Sequence, residues 1–339
     1  MSSFSSIGDL TRPHQLRLGQ YTLKAKLNRL TQEVTTGIKS DIAKAVGGDL
    51  SEISHIDSRL KILTTLQQNA SEAGIRLEAM QLALGQVQSL TDDLGPKLLV
   101  EAENLEPSDL ILRAQDVEQS LRQVFNALNG NVGGHYVFSG TRNDRAPLGG
   151  FETMLSELKT AVAGATTAAD ITKKIDAWFD APAGEGGFTD LIYQGADAKG
   201  QQVPISSEHH TGSRLTANSP ELRDALKGMA IMAYIASAGQ TIDATNLREL
   251  FTEAGGLLIK ATTGLTSARA ELGQQQARVT QAQARNAAEV TAFSIARNAL
   301  IGADPFEAAT ALKETEASIE SLYILTNRLS RLSLTEHLS

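Results

Sequence analysis

Residues 16–34 read LRLGQYTLKAKLNRLTQEV, with Leu16, Leu23, Leu27, Leu30 and Val34 in a 4, 3, 4, 3, 4 spacing that Gln20 completes. Such a repeat keeps a narrow apolar stripe on one face of a helix, the pattern of a coiled-coil seam. Gly37 after Thr36 predicts the end of this helix, and Gly47-Gly48 predicts a second break before Asp49 or Ser51 caps the next one. That second helix is expected to run to about Asp93. Its seam is Ile53, Ile56, Leu60, Leu63, Gln67, Ala70, Gly74, Leu77, Gln81 and Leu84, with a second stripe at Ile62, Leu66, Ile75 and Leu82. Two stripes on one helix predict two neighbours. Gly95-Pro96 predicts a kink or an end, and a third helix follows Glu106-Pro107-Ser108-Asp109, with Ser108 as its expected cap. Leu110, Ala114, Val117, Leu121, Val124 and Leu128 repeat the seam before Asn129-Gly130 closes it.

Residues 131–218 differ in character. They are Gly-rich and Pro-containing, with strand-like runs at 135–138, 191–193, 202–206 and 214–216 and short helices expected near 153–162 and 169–179. Helical patterning returns at Pro220, where Leu222, Leu226, Met229 and Ala233 predict a short amphipathic helix. A very long helix is expected from about Thr245 past Leu300, its seam weakened by the Gln and Ala of 274–288. Asp304-Pro305 reads as cap and first turn of a last helix carrying Leu312, Ile319, Leu322, Leu325, Leu329 and Leu332. The fold class is therefore mainly α: an elongated antiparallel helical bundle or coiled coil built from the N- and C-terminal helices, with a small mixed α+β insert in the middle. The terminal seams are single stripes, so a monomer would leave apolar edge exposed, which predicts assembly.

Composition supports this. Residues 14–95 and 221–304 contain none of the eight prolines, and 339 residues carry only fifteen aromatic side chains, favouring slender helices over one large core. A net charge of −8 without a basic run gives no footprint for nucleic acid or an anionic membrane. The longest apolar run, 229–238, is too short to span a bilayer. The N-terminus lacks the charged and apolar regions of a cleavable secretory signal. The absence of cysteine removes disulfides, thiol catalysis and Cys-based metal sites.

Chemistry-bearing candidates are sparse. Glu208-His209-His210 lacks the i, i+4 spacing of a helical zinc pair and reads better as a polar turn. His135 beside Gly133-Gly134 reads as a turn or strand residue, and Asp92-Asp93 as solvated carboxylates pointing apart on a helix. Asn69-Ala70-Ser71 is a mid-helix chance sequon. No phosphate-loop, dinucleotide, nucleophile-elbow or HExxH motif occurs. No catalytic, cofactor or metal site is expected.

Three segments carry a family resemblance: 30–39 (LTQEVTTGIK), 134–147 (GHYVFSGTRNDRAP, with Gly134, Tyr136, Phe138 and Gly140) and 304–338, containing Tyr323 and the leucine run near its end. Together they resemble the flagellin-related axial proteins of the bacterial flagellum and, within that superfamily, the hook-associated proteins of type 3. One departure is SDIAKAVGGD at 40–49, where many relatives carry an Asn…Asp-Asp-Pro/Ala loop. The resemblance implies a structural subunit rather than an enzyme, forming a junction ring between hook and filament. It would be exported to the extracellular flagellum by the type III apparatus without a cleavable signal, guarded by a cytoplasmic export chaperone. The adjoining hook-associated protein would lie on the hook side and flagellin on the filament side. Leu16, Leu23, Leu27, Leu30, Ile319, Leu322, Leu329 and Leu332 are the expected assembly interface. Residues 1–45 with 300–339 would form a terminal coiled coil disordered before assembly, 46–140 with 220–299 a helical rod, and 141–219 an outer α+β lobe. Flagellin itself is the near alternative, and a helical enzyme or ligand-binding protein with a site in 131–218 the distant one.

Overall fold

The computed structural model of the chain describes residues 7–196 and 202–337, with side chains described over 14–196 and 202–328. Ten helices and two short hairpins occur among these residues. Their order is α1 (Ile7–Thr36), α2 (Ile42–Ala45), α3 (Ser51–Asn104), α4 (Pro107–Leu128), β1 (Asn131–Val132), β2 (His135–Tyr136), α5 (Phe151–Val162), α6 (Ala168–Asp180), α7 (Phe188–Leu191), β3 (Val203–Pro204), β4 (His210–Thr211), α8 (Pro220–Ala238), α9 (Ala244–Ile301) and α10 (Pro305–His337). The mainly α class with a small α+β insert is what the periodicity predicts. The chain divides into two compact units, 1–64 with 288–339 and 65–287, and α3 and α9 contribute to both.

In the first unit α1 ends where Gly37 turns into the left-handed region (φ 67°), as its position after the seam predicts. Asp304 caps α10, its Oδ1 accepting from the N–H groups of Phe306 (2.8 Å) and Glu307 (3.0 Å). Ile53, Ile56 and Leu63 of α3 are buried here, and Arg297 of α9 donates to Asp57 at 2.7 Å.

In the second unit the core runs along α3, α4, α8 and α9. Every seam position of α4, from Leu110 to Leu128, is buried. Helix α8 is buried on nearly all sides rather than amphipathic, because α4, α5, α6 and α9 enclose it; a Cβ on Gly228 would lie 2.9 Å from Leu258 of α9. The insert closes over its own core of Met154, Leu158, Ile171, Ile175, Phe179 and Phe188, with Phe179 and Phe188 stacked at 5.0 Å.

Several local expectations are corrected. Helix α3 continues to Asn104 rather than ending near Asp93, because Leu94, Leu98 and Ala102 extend its buried stripe while the Pro96 ring faces solvent. Ser108 is not the cap of α4: Glu106 is, with Pro107 in the first turn. The second stripe of α3 does not find a second neighbour throughout. Leu66 is buried, but Ile62, Ile75 and Leu82 remain half or more exposed. Of the strand-like runs, 191–193 becomes the end of α7 with a single bridge from Tyr193 to Leu148, and 214–216 forms no strand. Residues 135–138 pair only over His135–Tyr136, around a Gly133-Gly134 turn whose positive φ values (59° and 84°) suit a two-residue hairpin.

Candidate assembly surfaces

The terminal helices of the first unit pair antiparallel. Their junction is a short β-bridge between Ile38 and Gly302, with Lys39 N–H donating to Ile301 O and Ala303 N–H to Gly37 O, both at 2.9 Å. Glu33 reinforces the turn, its carboxylate accepting from Ser40 N–H at 3.0 Å and Ser40 Oγ–H at 2.7 Å. These donors favour the ionised form and hold the Glu33 carboxyl below its ordinary value of 4.5. Because the folded value lies below the unfolded one, this contribution to stability is complete above the unfolded pKa and is lost as pH falls through the folded one. Glu33→Gln is therefore expected to flatten the acid side of the pH–stability curve of the paired terminal helices, read by circular dichroism melts of the assembled protein between pH 3 and pH 7.

Along the pair, Leu322 lies 3.5 Å from where a Gly19 Cβ would stand, and Tyr323 accepts hydrogen bonds from the Gln20 and Lys24 side chains, which lower its phenol pKa. Of the expected interface residues, Leu30 is buried and Leu16, Leu23, Leu27, Ile319 and Leu322 are half-buried. The side chains of Leu329 and Leu332 lie outside the described residues. The seam thus turns inward within one chain except at Val34 and Leu325, which the spacing placed in it and which are 42% and 54% exposed. Its flanks do not: Leu18, Tyr21 and Ile324 are all more than half exposed, Tyr21 at 77%. These exposed apolar side chains make the α1–α10 pair a candidate surface for a partner.

The residues 134–140 form a structural pin rather than a reactive site. Gly134 makes the hairpin turn, and Tyr136 N–H donates to Asn143 O at 2.9 Å. Phe138 is fully buried, and its carbonyl accepts from Ala217 N–H at 2.9 Å. Ser139 Oγ donates to Arg145 O at 2.7 Å, and its carbonyl accepts from Ala196 N–H at 3.0 Å. Gly140 has φ 65°, and a Cβ there would stand 2.0 Å from Ala196 O. The motif ties the exit of α4 to the segments before residue 197 and before α8.

One electrostatic feature escapes the periodicity. Lys227 of α8 is buried, with its ammonium 2.5 Å from Asp180 and 3.8 Å from Asp176 and Asp224. Arg223 donates to Phe179 O at 3.0 Å and lies 3.6 Å from Asp180, so α6 and α8 are joined by a charged cluster. Burial raises the Asp176 carboxyl pKa, against the opposing pull of Lys227. The sequence signal was a lysine directly after Leu226 in a strongly apolar helix.

The polar candidates are placed as follows. His209 Nδ1 lies 3.3 Å from Ser206 Oγ in the β3–β4 turn, Asp93 pairs with Lys97 at 2.6 Å, and Asn69 donates to Pro204 O at 3.0 Å. Among the described residues there is no group of three or more His, Cys, Asp or Glu that could hold a metal ion, and no helix is long and apolar enough to cross a membrane. A groove of about 770 Å³ lies where α6 and α9 begin, lined by Ala168, Thr172, Asp176, Arg248 and Glu249 among others.

Residues 257–338 match the bacterial flagellin C-terminal helical region, about a quarter of the chain that takes in most of α9 and α10. Among solved structures, the fold is similar to that of a protein of Vibrio parahaemolyticus described as a flagellar hook-associated protein, with TM-score 0.50 and 13% identity over 74% of this chain and 100% of that one. Bacillus cereus FlgL aligns with TM-score 0.42 and 14% identity over 70% of this chain and 100% of that one. No curated protein matches the sequence.

Proposed function

We propose that the chain is a structural, non-enzymatic subunit of the bacterial flagellum that assembles with copies of itself through its terminal helices, forming the junction ring between hook and filament. The observation that carries this reading is the α1–α10 pair. Its C-terminal member lies in the stretch matching the flagellin C-terminal helical region, and the pair exposes Leu18, Tyr21, Ile324 and Leu325. In this reading the terminal coiled coil, 1–45 with 300–339, orders on assembly; 46–140 with 220–299 is the rod; and 141–219 is the outer lobe. The chain passes through the type III apparatus with a cytoplasmic chaperone, and meets a hook-associated protein on one side and flagellin on the other, outside the cell. The junction role is preferred to that of flagellin because of 134–140, whose Gly-x-Tyr-x-Phe-Ser-Gly pattern resembles type 3 hook-associated proteins.

The interface is tested by Leu27→Asp combined with Leu322→Asp, which places two carboxylates in the α1–α10 seam. Both positions are half-buried, so each carboxylate sits partly desolvated against the seam without a partner, at a cost of roughly 1–3 kcal/mol. Incorporation into flagella and filament growth are expected to be lost while the second unit keeps its melting temperature. Normal filament growth by the double variant would overturn the assignment.

A further inference from the structure

In the second unit α3 and α9 pack antiparallel with a register fixed by several contacts. A Cβ on Gly74 would lie 3.6 Å from Val279, Gln81 Nε2 donates to Arg269 O at 2.8 Å, and Gln88 Nε2 donates to Thr266 Oγ1 at 3.0 Å. Ile75 is therefore level with residues near 278, and Leu82 with residues near 271. Each helix also has a free face opposite this seam. On α3 that face carries two large apolar side chains one heptad apart, Ile75 (51% exposed) and Leu82 (71%). Exposed Glu72 and Glu78 flank Ile75. On α9 the exposed positions Ala270, Ala277 and Ala284 repeat every seven residues and carry only a methyl group, with the flexible side chains of Gln274 and Gln281 between them. Arg278 lies exposed beside them, as does Arg285, which pairs with Glu208 at 3.9 Å within the chain, and Glu271 is the one exposed carboxylate between 270 and 287.

We infer that the Ile75–Leu82 face of α3 docks on the Ala270–Ala284 face of α9 in a second copy of this chain. Three observations agree on that occupant. Two projecting apolar side chains seven residues apart meet the gaps over Ala270, Ala277 and Ala284, which share that seven-residue spacing, as knobs fit holes. Carboxylates flank the knobs and guanidinium groups flank the holes, which aligns the pair and disfavours like-with-like contact. The two faces lie at the same level and are directed apart within one chain, so rotation about an axis parallel to the helices brings them together without axial shift. A heterologous contact of this kind closes into a ring when its rotation divides a full turn. The inference rests on the self-assembly proposed above and gives the ring its lateral contact.

The cysteine-free chain makes the test direct. Full-length Leu82→Cys/Ala270→Cys and Ile75→Cys/Ala277→Cys variants are expressed in the source bacterium in place of the native chain, and isolated flagella are oxidised with copper phenanthroline. Because the paired positions face apart in one molecule, only a neighbouring copy closes the bridge. Both variants are expected to give a ladder of multimers on non-reducing gels, whereas Ile75→Cys/Thr263→Cys, displaced by about 22 Å along α9, stays monomeric. Leu82→Asp, at an exposed position, is expected to keep the native melting temperature and to reduce incorporation. Chain present in flagella but monomeric in both matched pairs would overturn this interface alone. Chain absent from flagella would overturn the proposed function, and the interface with it.

Discussion

Gly140→Ala is expected to lower the stability of the second unit by roughly 3–4 kcal/mol, a drop in melting temperature of roughly 10 °C. Two costs combine. The left-handed backbone at φ 65° disfavours any side chain, and the new Cβ would stand 2.0 Å from Ala196 O, a carbonyl that accepts from the Tyr193 hydroxyl at 3.2 Å in a residue whose own N–H donates to Ser139 O. Gly134→Ala separates the two. It has φ 84° with nothing within 4 Å of the new Cβ, so only the conformational cost of roughly 1–2 kcal/mol applies. Thermal melts of the two variants check the claim. Equal losses would mean that the close approach at Gly140 relaxes freely and that the motif is not the pin described above.

The second large effect is asymmetric. Removing the carboxylates beside Lys227 with Asp176→Ala and Asp180→Ala leaves a buried ammonium with only Asp224 at 3.8 Å, and is expected to cost about 3 kcal/mol. Lys227→Met is expected to cost about 1 kcal/mol or less, because Asp176 and Asp180 are about half exposed and water can replace the lost partner. Denaturant titration of the three proteins orders them. A lysine variant more damaging than the double aspartate variant would show that packing of the Lys227 stem outweighs the charge.

Much of the fold was legible because most of it is periodic. The 4, 3 spacing located α1, α4 and α10, Gly37 and Asp304 set helix ends, and proline-free stretches marked α9 and the part of α3 before Pro96. Where the reading failed, tertiary burial overrode local chemistry. Pro96 is tolerated because Leu94 and Leu98 on either side are buried, and α8 looked amphipathic because no local pattern reveals that four helices surround it. The candidate surface was legible in its seam residues but not in its exposed flanks. Tyr21 and Ile324 became informative once α1 and α10 were seen to pair and still leave them in solvent, together with Leu325, which the spacing had placed in the seam. The Lys227 cluster joins residues 47 positions apart, beyond the reach of any periodicity.

The α1–α10 pair and the match over 257–338 support a flagellin-like structural subunit, and one genetic experiment addresses the place proposed for it at the junction of hook and filament. In cells from which this chain has been deleted, electron microscopy is expected to show hooks without filaments while flagellin accumulates as monomer in the medium, since a missing junction leaves exported flagellin nothing to assemble on. Filaments of normal length, or bare hooks with no flagellin shed into the medium, would contradict it.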